Sequence, residues 1–505
     1  MIRYATVSEA QKMSTLIIPF TEDSFDSTFF SFWNTHAGGM LQSVIEQKDF
    51  EGKKGQMTLL YPTTANIGRI ILVGLGKTNG LSVRTWKQSL GSAVIAAQQK
   101  KSVHLGVVIP EEVRIVLGTK NTARGAVIGT SAAAYGFDVH REKSAQITRI
   151  EKIDLITSFS SKEKKMWLKS VEEGTSIADA MNWTRDLGNT TPTTMTPTYL
   201  SKQAQSLAKK FPSVTCRIFS RPEMKKLGMG CLLGVSQGSA EEPKFIIVEY
   251  VGSKKSEKPV VLIGKGITYD SGGLSLKPAN YMIDMKFDML GGATVLGAIQ
   301  AAAALNIKKH IVGLIPACEN MPSGSSYRPD DILIAMNGKS VLVDNTDAEG
   351  RLILADAICY ANKKYTPKVV IDLATLTGAC MVALGNERSG VLGTDQVLID
   401  RLRMAGEECG ELLWQLPLGE EFSSAMNCDI ADIKNAGNVG GSGYGGASTG
   451  AAFLQFFTRN DEGETPYPWA HIDMSSCYFK EKGKSYIRGG ANGFGVETLV
   501  NYLQS

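Results

Sequence analysis

Histidine, paired cysteines and long apolar runs are all scarce in this sequence, and each scarcity narrows what the chain can do. Five histidines occur in 505 residues, so a metal centre here has to be built mainly from oxygen ligands. All eight cysteines, from Cys216 to Cys477, follow residue 200 and none forms a CxxC pair; zinc ribbons are excluded and reduced thiols are expected. The longest early apolar stretch, Leu16 to Phe20, is too short for a membrane span or a signal-peptide core, and no basic segment precedes it. A soluble, cytoplasmic protein with no membrane partner is therefore expected. Acidic residues are missing from 52 to 110, where Lys53, Lys54, Arg69, Lys77, Arg84, Lys87, Lys100 and Lys101 all occur. A nucleic-acid partner would use that stretch. A solvated face is the plainer reading, because the charges are scattered and no aromatic residues interleave them.

What is present is enough apolar residue, 43% of the chain against 21% charged, for two globular domains. In residues 1–160, strand-like runs at Met57–Tyr61, Arg69–Gly74, Val103–Ile109 and Ile147–Ile156 alternate with helical periodicity near 83–100 and 122–135, which predicts an N-terminal α/β domain. Ser160 and Glu163 form a capping-box pattern, and Trp167, Val171, Ala178 and Met181 recur at helical spacing, predicting a long connecting helix over 161–188. The Thr/Pro-rich stretch Thr190–Pro197 then opens a second domain, 189–505. There Lys244–Val251, Val260–Gly264, His310–Ile315 and Val369–Ala374 read as buried parallel strands, with helices near 289–305 and 350–364. This predicts a doubly wound, mostly parallel sheet, whose ligands collect at the carboxyl ends of its strands.

Two charged clusters follow strand-like runs. One runs from Gly264 and Lys265 through Asp270, Ser271, Gly272, Gly273 and Lys277, with Asp288 shortly after; the other is Asp344-Asn345-Thr346-Asp347-Ala348-Glu349-Gly350-Arg351. Singly, each has a bland alternative: a helix-capping turn at Asp347–Gly350, turn glycines around Asp270, surface lysines at 265 and 277. Together they place Asp270, Asp288, Asp347 and Glu349 at the strand ends, and four carboxylates do not share a low-dielectric cleft without cations. Two divalent ions about 3.5–4 Å apart, activating a shared water, are the economical answer.

Thr268–Pro278 and Asn345–Leu352 resemble the two signature stretches of the leucine aminopeptidase (cytosol aminopeptidase) family. The likeness continues through Met285–Met289, Asp372–Gly378 and Trp469–Asp473. It covers most of 180–500 and is weak in the N-terminal domain. The resemblance implies a metal-dependent aminopeptidase acting on short peptides with N-terminal Leu or other apolar residues. Its tighter metal site would use Lys265, Asp270, Asp288 and Glu349; the more exchangeable one would use Asp270, Asp347 and Glu349. The ions would be Zn or Mn, with Mg or Co as alternatives. Lys277 would stabilise charge on the scissile carbonyl, and Arg351 would hold bicarbonate as general base. Met285, Thr375, Leu376 and Gly378 would line the pocket for the first side chain. A lysine ligand requires a neutral amine, which a neighbouring dication favours. The family implies a homohexamer, with the N-terminal domain serving oligomer contacts or accessory binding.

Two departures, Tyr269 where the family has Phe and the Asn189–Thr194 stretch, touch no proposed ligand. Asp284 and Asp344 read as supporting residues, and His471 as a buried, satisfied histidine. A rival dinucleotide-binding reading of Val73-Gly74-Leu75-Gly76 fails, because its third glycine is one position late and no acidic residue follows before Glu111. A P-loop at Gly264-Lys265 lacks both the spacing and the hydroxyl residue.

Overall fold

β-Branched runs separated by helices build two large sheets, each within its own compact unit. The computed structural model describes residues 2–505 apart from 11–12, 64–66, 442, 461 and 481–482. Unit 1 comprises 1–182 and 480–489, and unit 2 comprises 183–479 and 490–505.

In unit 1, strands β1 (Ile2–Ala5), β2 (Thr15–Phe20), β3 (Met57–Leu60), β4 (Ile70–Gly74), β5 (His104–Val108) and β6 (Lys152–Ile156) form a sheet in the order β1-β6-β5-β2-β4-β3. All pairs are parallel except β3 with β4. Apolar Leu16–Phe20 is thus an inner strand, and the strand expected over Ile147–Ile156 is confined to its last five residues. Helices Val83–Gln99 and Thr119–Ala134 follow, the first capped by Ser82, whose Oγ accepts from the Thr85 amide at 3.2 Å. Of the basic stretch, Lys87 is buried, Arg69 donates to the Lys100 carbonyl, and Lys53 sits 2.7 Å from Glu51. Of these, Lys87 is shielded from solvent, while Lys53 stays exposed in a surface pair.

The helix expected over 161–188 spans Ser161–Asn189, and Ser160 accepts from and donates to Glu163 as a capping box does. The division between units falls inside this helix rather than at its end, and the 480–489 segment lies with unit 1. Sequence periodicity gives no sign of either, because helical spacing continues across the boundary.

Unit 2 holds a nine-stranded sheet. In chain order its strands are β7 (Val214–Phe219), β8 (Lys244–Val251), β9 (Val260–Gly264), β10 (Gly266–Asp270) and β11 (His310–Asn320), then, after the hairpin β12 (Ile332–Ile334) and β13 (Ser340–Leu342), β14 (Val369–Ala374), β15 (Ser389–Gly393), β16 (Leu413–Gln415) and, beyond β17 (Ile433–Lys434), β18 (Trp469–Asp473). The order is β16-β15-β18-β14-β9-β11-β8-β7, with β10 beside β11. The centre, β18-β14-β9-β11, is parallel. Lys244–Val251 departs from the parallel expectation: it runs antiparallel to β11, an arrangement its apolar run alone does not distinguish from a buried parallel strand.

Both faces of this sheet are covered. Val312 and Leu314 point into a cluster with Leu352, Ile353 and Phe453, while Gly313, of opposite parity, lies against Val295 and Ile299 of the helix Leu290–Ala304. That helix belongs to the one stretch, 279–304, whose length and hydropathy suit a membrane span among the described residues; 94% of its apolar window is buried, as in a core helix. On the other face lies the helix Glu349–Lys364, whose Asp356 is fully buried and accepts from the amides of Leu232 and Met336, each at 2.8 Å.

Burial, only partly offset by those amides, pushes the Asp356 carboxyl up to about 7. A folded value above the unfolded one means the neutral acid favours the fold. Stability is then greatest below about pH 4 as far as this group goes, and falls as pH rises through 7. In Asp356→Asn the melting temperature is expected to decline less between about pH 5 and pH 8 than in the parent, as followed by differential scanning calorimetry.

Candidate metal centre and active site

The carboxyl ends of β9, β10 and β14, together with the start of the helix Glu349–Lys364, bring the charged clusters together. Lys265 follows β9 directly and is buried; its Nζ lies 2.8 Å from Asp288 Oδ2, 2.8 Å from Glu349 Oε1 and 3.1 Å from the Thr375 carbonyl. Two glycines permit this closeness. A Cβ on Gly291 would overlap the Leu373 carbonyl, and one on Gly350 would overlap the Lys265 amine. The helix after Asp288 and the helix bearing Glu349 therefore both approach the strand ends at backbone distance.

Asp270 ends β10. It accepts from the Gly272 amide and from Asn320 Nδ2, each at 2.8 Å, and its Oδ2 is 2.8 Å from Lys277 Nζ. Lys277 also reaches Asp347 Oδ1 at 2.5 Å. Oxygen atoms of Asp270, Asp347 and Glu349 all lie within 4.8 Å of one another. Among the described residues, Glu349 Oε2 and Asn320 Oδ1 are buried without a hydrogen-bond partner. Asp288 Oδ2 and Asp347 Oδ1 are within ion-pair range of the lysines but outside hydrogen-bonding geometry. Orphaned buried carboxylate oxygens beside a converging oxygen donor set fit divalent cations, and the residues present suit them.

The electrostatics agree. Burial, and then the neighbouring carboxylates, raise the Asp270 and Asp288 carboxyls; burial and Asp270 raise Asp347. For Lys265 and Lys277 burial opposes the ammonium form, but the surrounding carboxylates outweigh it and hold both amines up. Without a dication, Lys265 is thus a cation standing in for one, and the neutral amine of a lysine ligand arises only when a metal displaces its proton.

Arg351 is the third residue of the same helix. It is buried, donates to the Asn435 carbonyl at 2.9 Å, and leaves its Nε without a partner among the described residues. Burial lowers its affinity for the proton, against the pull of Glu349, Asp473 and Asp347. Met285 opens the short turn that ends at Asp288, and Thr375 Oγ1 donates to Asp288 Oδ1 at 2.6 Å, so the Met285 turn adjoins the Thr375–Gly378 segment. Leu376 rests against the core on its inner side, and open space surrounds Gly378.

Asp284 takes a left-handed backbone conformation (φ 72°) at the start of that turn, and Asp344 donates its amide to Asn435 Oδ1 at 2.8 Å. His471 is buried as expected but only half satisfied: its Nδ1 is 2.5 Å from Asp372 Oδ1, while Nε2 has no partner among the described residues.

Four supporting residues were not singled out from sequence. Asn320 joins Asp270 to the Thr346 carbonyl; Thr346 donates to the Gly272 carbonyl at 2.6 Å and accepts from the Ser275 amide at 2.7 Å. Asn435 ties down the Asp344–Ala348 loop. Asp473 accepts from the amides of Leu376 and Thr377 and, at 2.6 Å, from Thr377 Oγ1. A polar residue ending an apolar strand was the available signal for Asn320 and Asp473; Asn435 carries none.

An α/β enzyme with a centre built for divalent cations is the class that this fold and donor set define. Comparisons with known proteins narrow it. Residues 182–500 match the catalytic domain of the cytosol aminopeptidase family, and 17–144 match its N-terminal domain. A probable cytosol aminopeptidase from a Geobacter strain is 40% identical over 469 residues, 92% of each chain, and one from Pseudomonas syringae is 39% identical over 98% of this chain and 97% of that one. Among solved structures, a mutant of tomato leucine aminopeptidase (30% identical, TM-score 0.85) covers 100% of this chain and 95% of its own. A bottromycin maturation enzyme, BotP, solved in complex with Mn, is 26% identical with TM-score 0.81, over 97% of this chain and 99% of its own. The chain belongs to the cytosol aminopeptidase family, and its activity is that of an aminopeptidase.

Because Asn320 fixes Asp270 against the Thr346 loop, Asn320→Ala is expected to weaken Mn binding about 10- to 100-fold, as loss of a ligand-orienting partner does elsewhere. Calorimetric titration of the metal-stripped variant checks this, with circular dichroism confirming that it folds.

Proposed function

We propose that this chain is a cytoplasmic, two-metal leucyl aminopeptidase that removes N-terminal Leu and other apolar residues from short peptides. The observation that carries the reading is the convergence of Asp270, Asp347 and Glu349 oxygens around unpartnered carboxylate atoms, beside Lys265 and Asp288. Lys265, Asp270, Asp288 and Glu349 would hold one ion, and Asp270, Asp347 and Glu349 a second; Mn or Zn suits this set, and Mn is the ion named for the related BotP structure. When bound, such ions supply Lewis acidity and a hydroxide-like nucleophile at neutral pH.

The remaining work falls to protein groups. The substrate's free α-amino nitrogen would be held at the tighter metal site beside Asp288, and acetylation removes its basic lone pair. Met285, Thr375, Leu376 and Gly378 bound an apolar side-chain pocket: Leu376 supplies a wall and Gly378 leaves room. Lys277, kept charged by Asp270 and Asp347, donates to the scissile carbonyl oxygen as negative charge develops there. Arg351 presents a buried guanidinium edge whose Nε has no partner among the described residues, suited to a planar anion; bicarbonate held there would take the proton from the attacking water. A homohexamer, the family's assembly, is the expected oligomer.

The test is hydrolysis of a leucine anilide before and after chelation, alongside its N-acetylated counterpart. Activity should need divalent metal and vanish on acetylation; metal-independent turnover, or equal cleavage of the blocked substrate, would contradict the reading. Lys277→Ala is expected to lower kcat about 100- to 1,000-fold, in line with loss of one preorganised oxyanion donor. Arg351→Ala should also make turnover insensitive to added bicarbonate, on which the parent depends; identical bicarbonate curves for both proteins would remove that role.

A further inference from the structure

At the opposite edge of the unit 2 sheet the charge reverses. Parallel strands β9, β11 and β14 all begin there, and the segments entering them carry Lys254, Lys255 and Lys258, then Lys308 and Lys309, then Lys368. Glu257 is the single acidic residue of the segment before β9, and none occurs in 305–309 or 365–368. Among the described residues, no carboxylate lies within ion-pair distance of any of these six lysines.

A cavity of about 340 Å³ opens within this edge, its lining including Lys309, Lys368, Arg401, Asp395, Tyr502, Val260 and Val369. Three cations therefore meet one carboxylate, Asp395, whose Oδ1 accepts from the Leu398 amide at 2.7 Å and caps the helix Gln396–Cys409. Arg401 stacks over the Tyr502 ring at 4.7 Å, which holds its guanidinium at the cavity and leaves it with one hydroxyl partner, Ser505 Oγ. Lys309 feels the crowding, since burial and then the charges of Lys368 and Arg401 make its ammonium form less favourable. Cations in excess of carboxylate around a space of small-molecule size call for an anion with an apolar body.

We propose that this cavity binds a small organic phosphate, its phosphoryl oxygens held by Lys309, Lys368 and Arg401 and its body set against Val260, Val369 and Tyr502. Apolar walls favour an ester over the free ion, and Arg401 offers a planar donor edge to phosphate oxygens. The site is separate from the aminopeptidase centre, which lies at the other ends of the same strands. It owes nothing to the metal reading.

Titrating the full-length, metal-loaded protein with phenyl phosphate and with inorganic phosphate by calorimetry tests this, using the parent, the double variant Lys309→Gln/Lys368→Gln and the single variant Arg401→Gln. One phenyl phosphate per chain is expected, bound more tightly than inorganic phosphate, with affinity falling about 10- to 100-fold in the double variant and measurably in Arg401→Gln. Leucine anilide turnover, unchanged in both variants, reports that they fold. The proposal is overturned by absence of binding, by binding equally strong in the variants, which would locate it elsewhere, or by variant-sensitive capture of duplex DNA without phenyl phosphate binding, which would make this edge a polyanion surface.

Discussion

Carboxylates repel one another in a low-dielectric cleft, and Asp270, Asp288, Asp347 and Glu349 converge in one with Lys265 and Lys277 as their nearest cations. Two ammonium groups against four carboxylates leave a charge deficit that burial makes expensive. Much of the surrounding structure keeps the acids together in spite of it. Gly291 and Gly350 remove the side chains that would force the helices away from Lys265, Asn320 and Thr346 lash the Asp270 and Asp347 loops to each other, and Asp473 holds the segment that aims Thr375 at Asp288. An arrangement so costly in the absence of metal is what a tight divalent-cation site requires, because the ion is rewarded by the repulsion it relieves.

The two edges of the catalytic sheet carry opposite charge. At the carboxyl ends, acids outnumber bases and the helices Leu290–Ala304 and Glu349–Lys364 begin, so backbone amides also face the cluster. At the amino ends the lysines gather, near where the preceding helices finish. One doubly wound sheet thereby carries an acid-rich cluster at the carboxyl ends of its strands and a lysine-rich one at their amino ends.

How much of this was legible beforehand depended on how local the information was. Val260–Gly264 and Val369–Ala374 showed as strands because a strand buried on both faces reads as an unbroken apolar run. The same rule misplaced Lys244–Val251, since burial alone does not reveal direction. Asp270, Asp288, Asp347 and Glu349 stood out because four carboxylates converge after strand-like runs, and Lys265, Lys277 and Arg351 because the stretches holding them resemble the family's signatures. Asn435 and the supporting role of Thr346 were not legible, because they arise from pairings some 70 to 90 residues apart in the chain, and the unit boundary was hidden by unbroken helical spacing. His471 was read as buried and is, but that its Nε2 lacks a partner among the described residues depends on what lies above the ring, which no local pattern encodes.

The electrostatic claim at the centre of this description can be measured directly by titrating the metal-stripped protein with Mn at one pH in two buffers of unlike ionisation enthalpy. Raised carboxyls and a charged Lys265 amine mean that the metal-free centre holds protons an ion must expel. Saturable binding with net proton release is expected. Failure to bind Mn at micromolar concentration, or binding without proton release, would contradict the charge deficit on which the site depends.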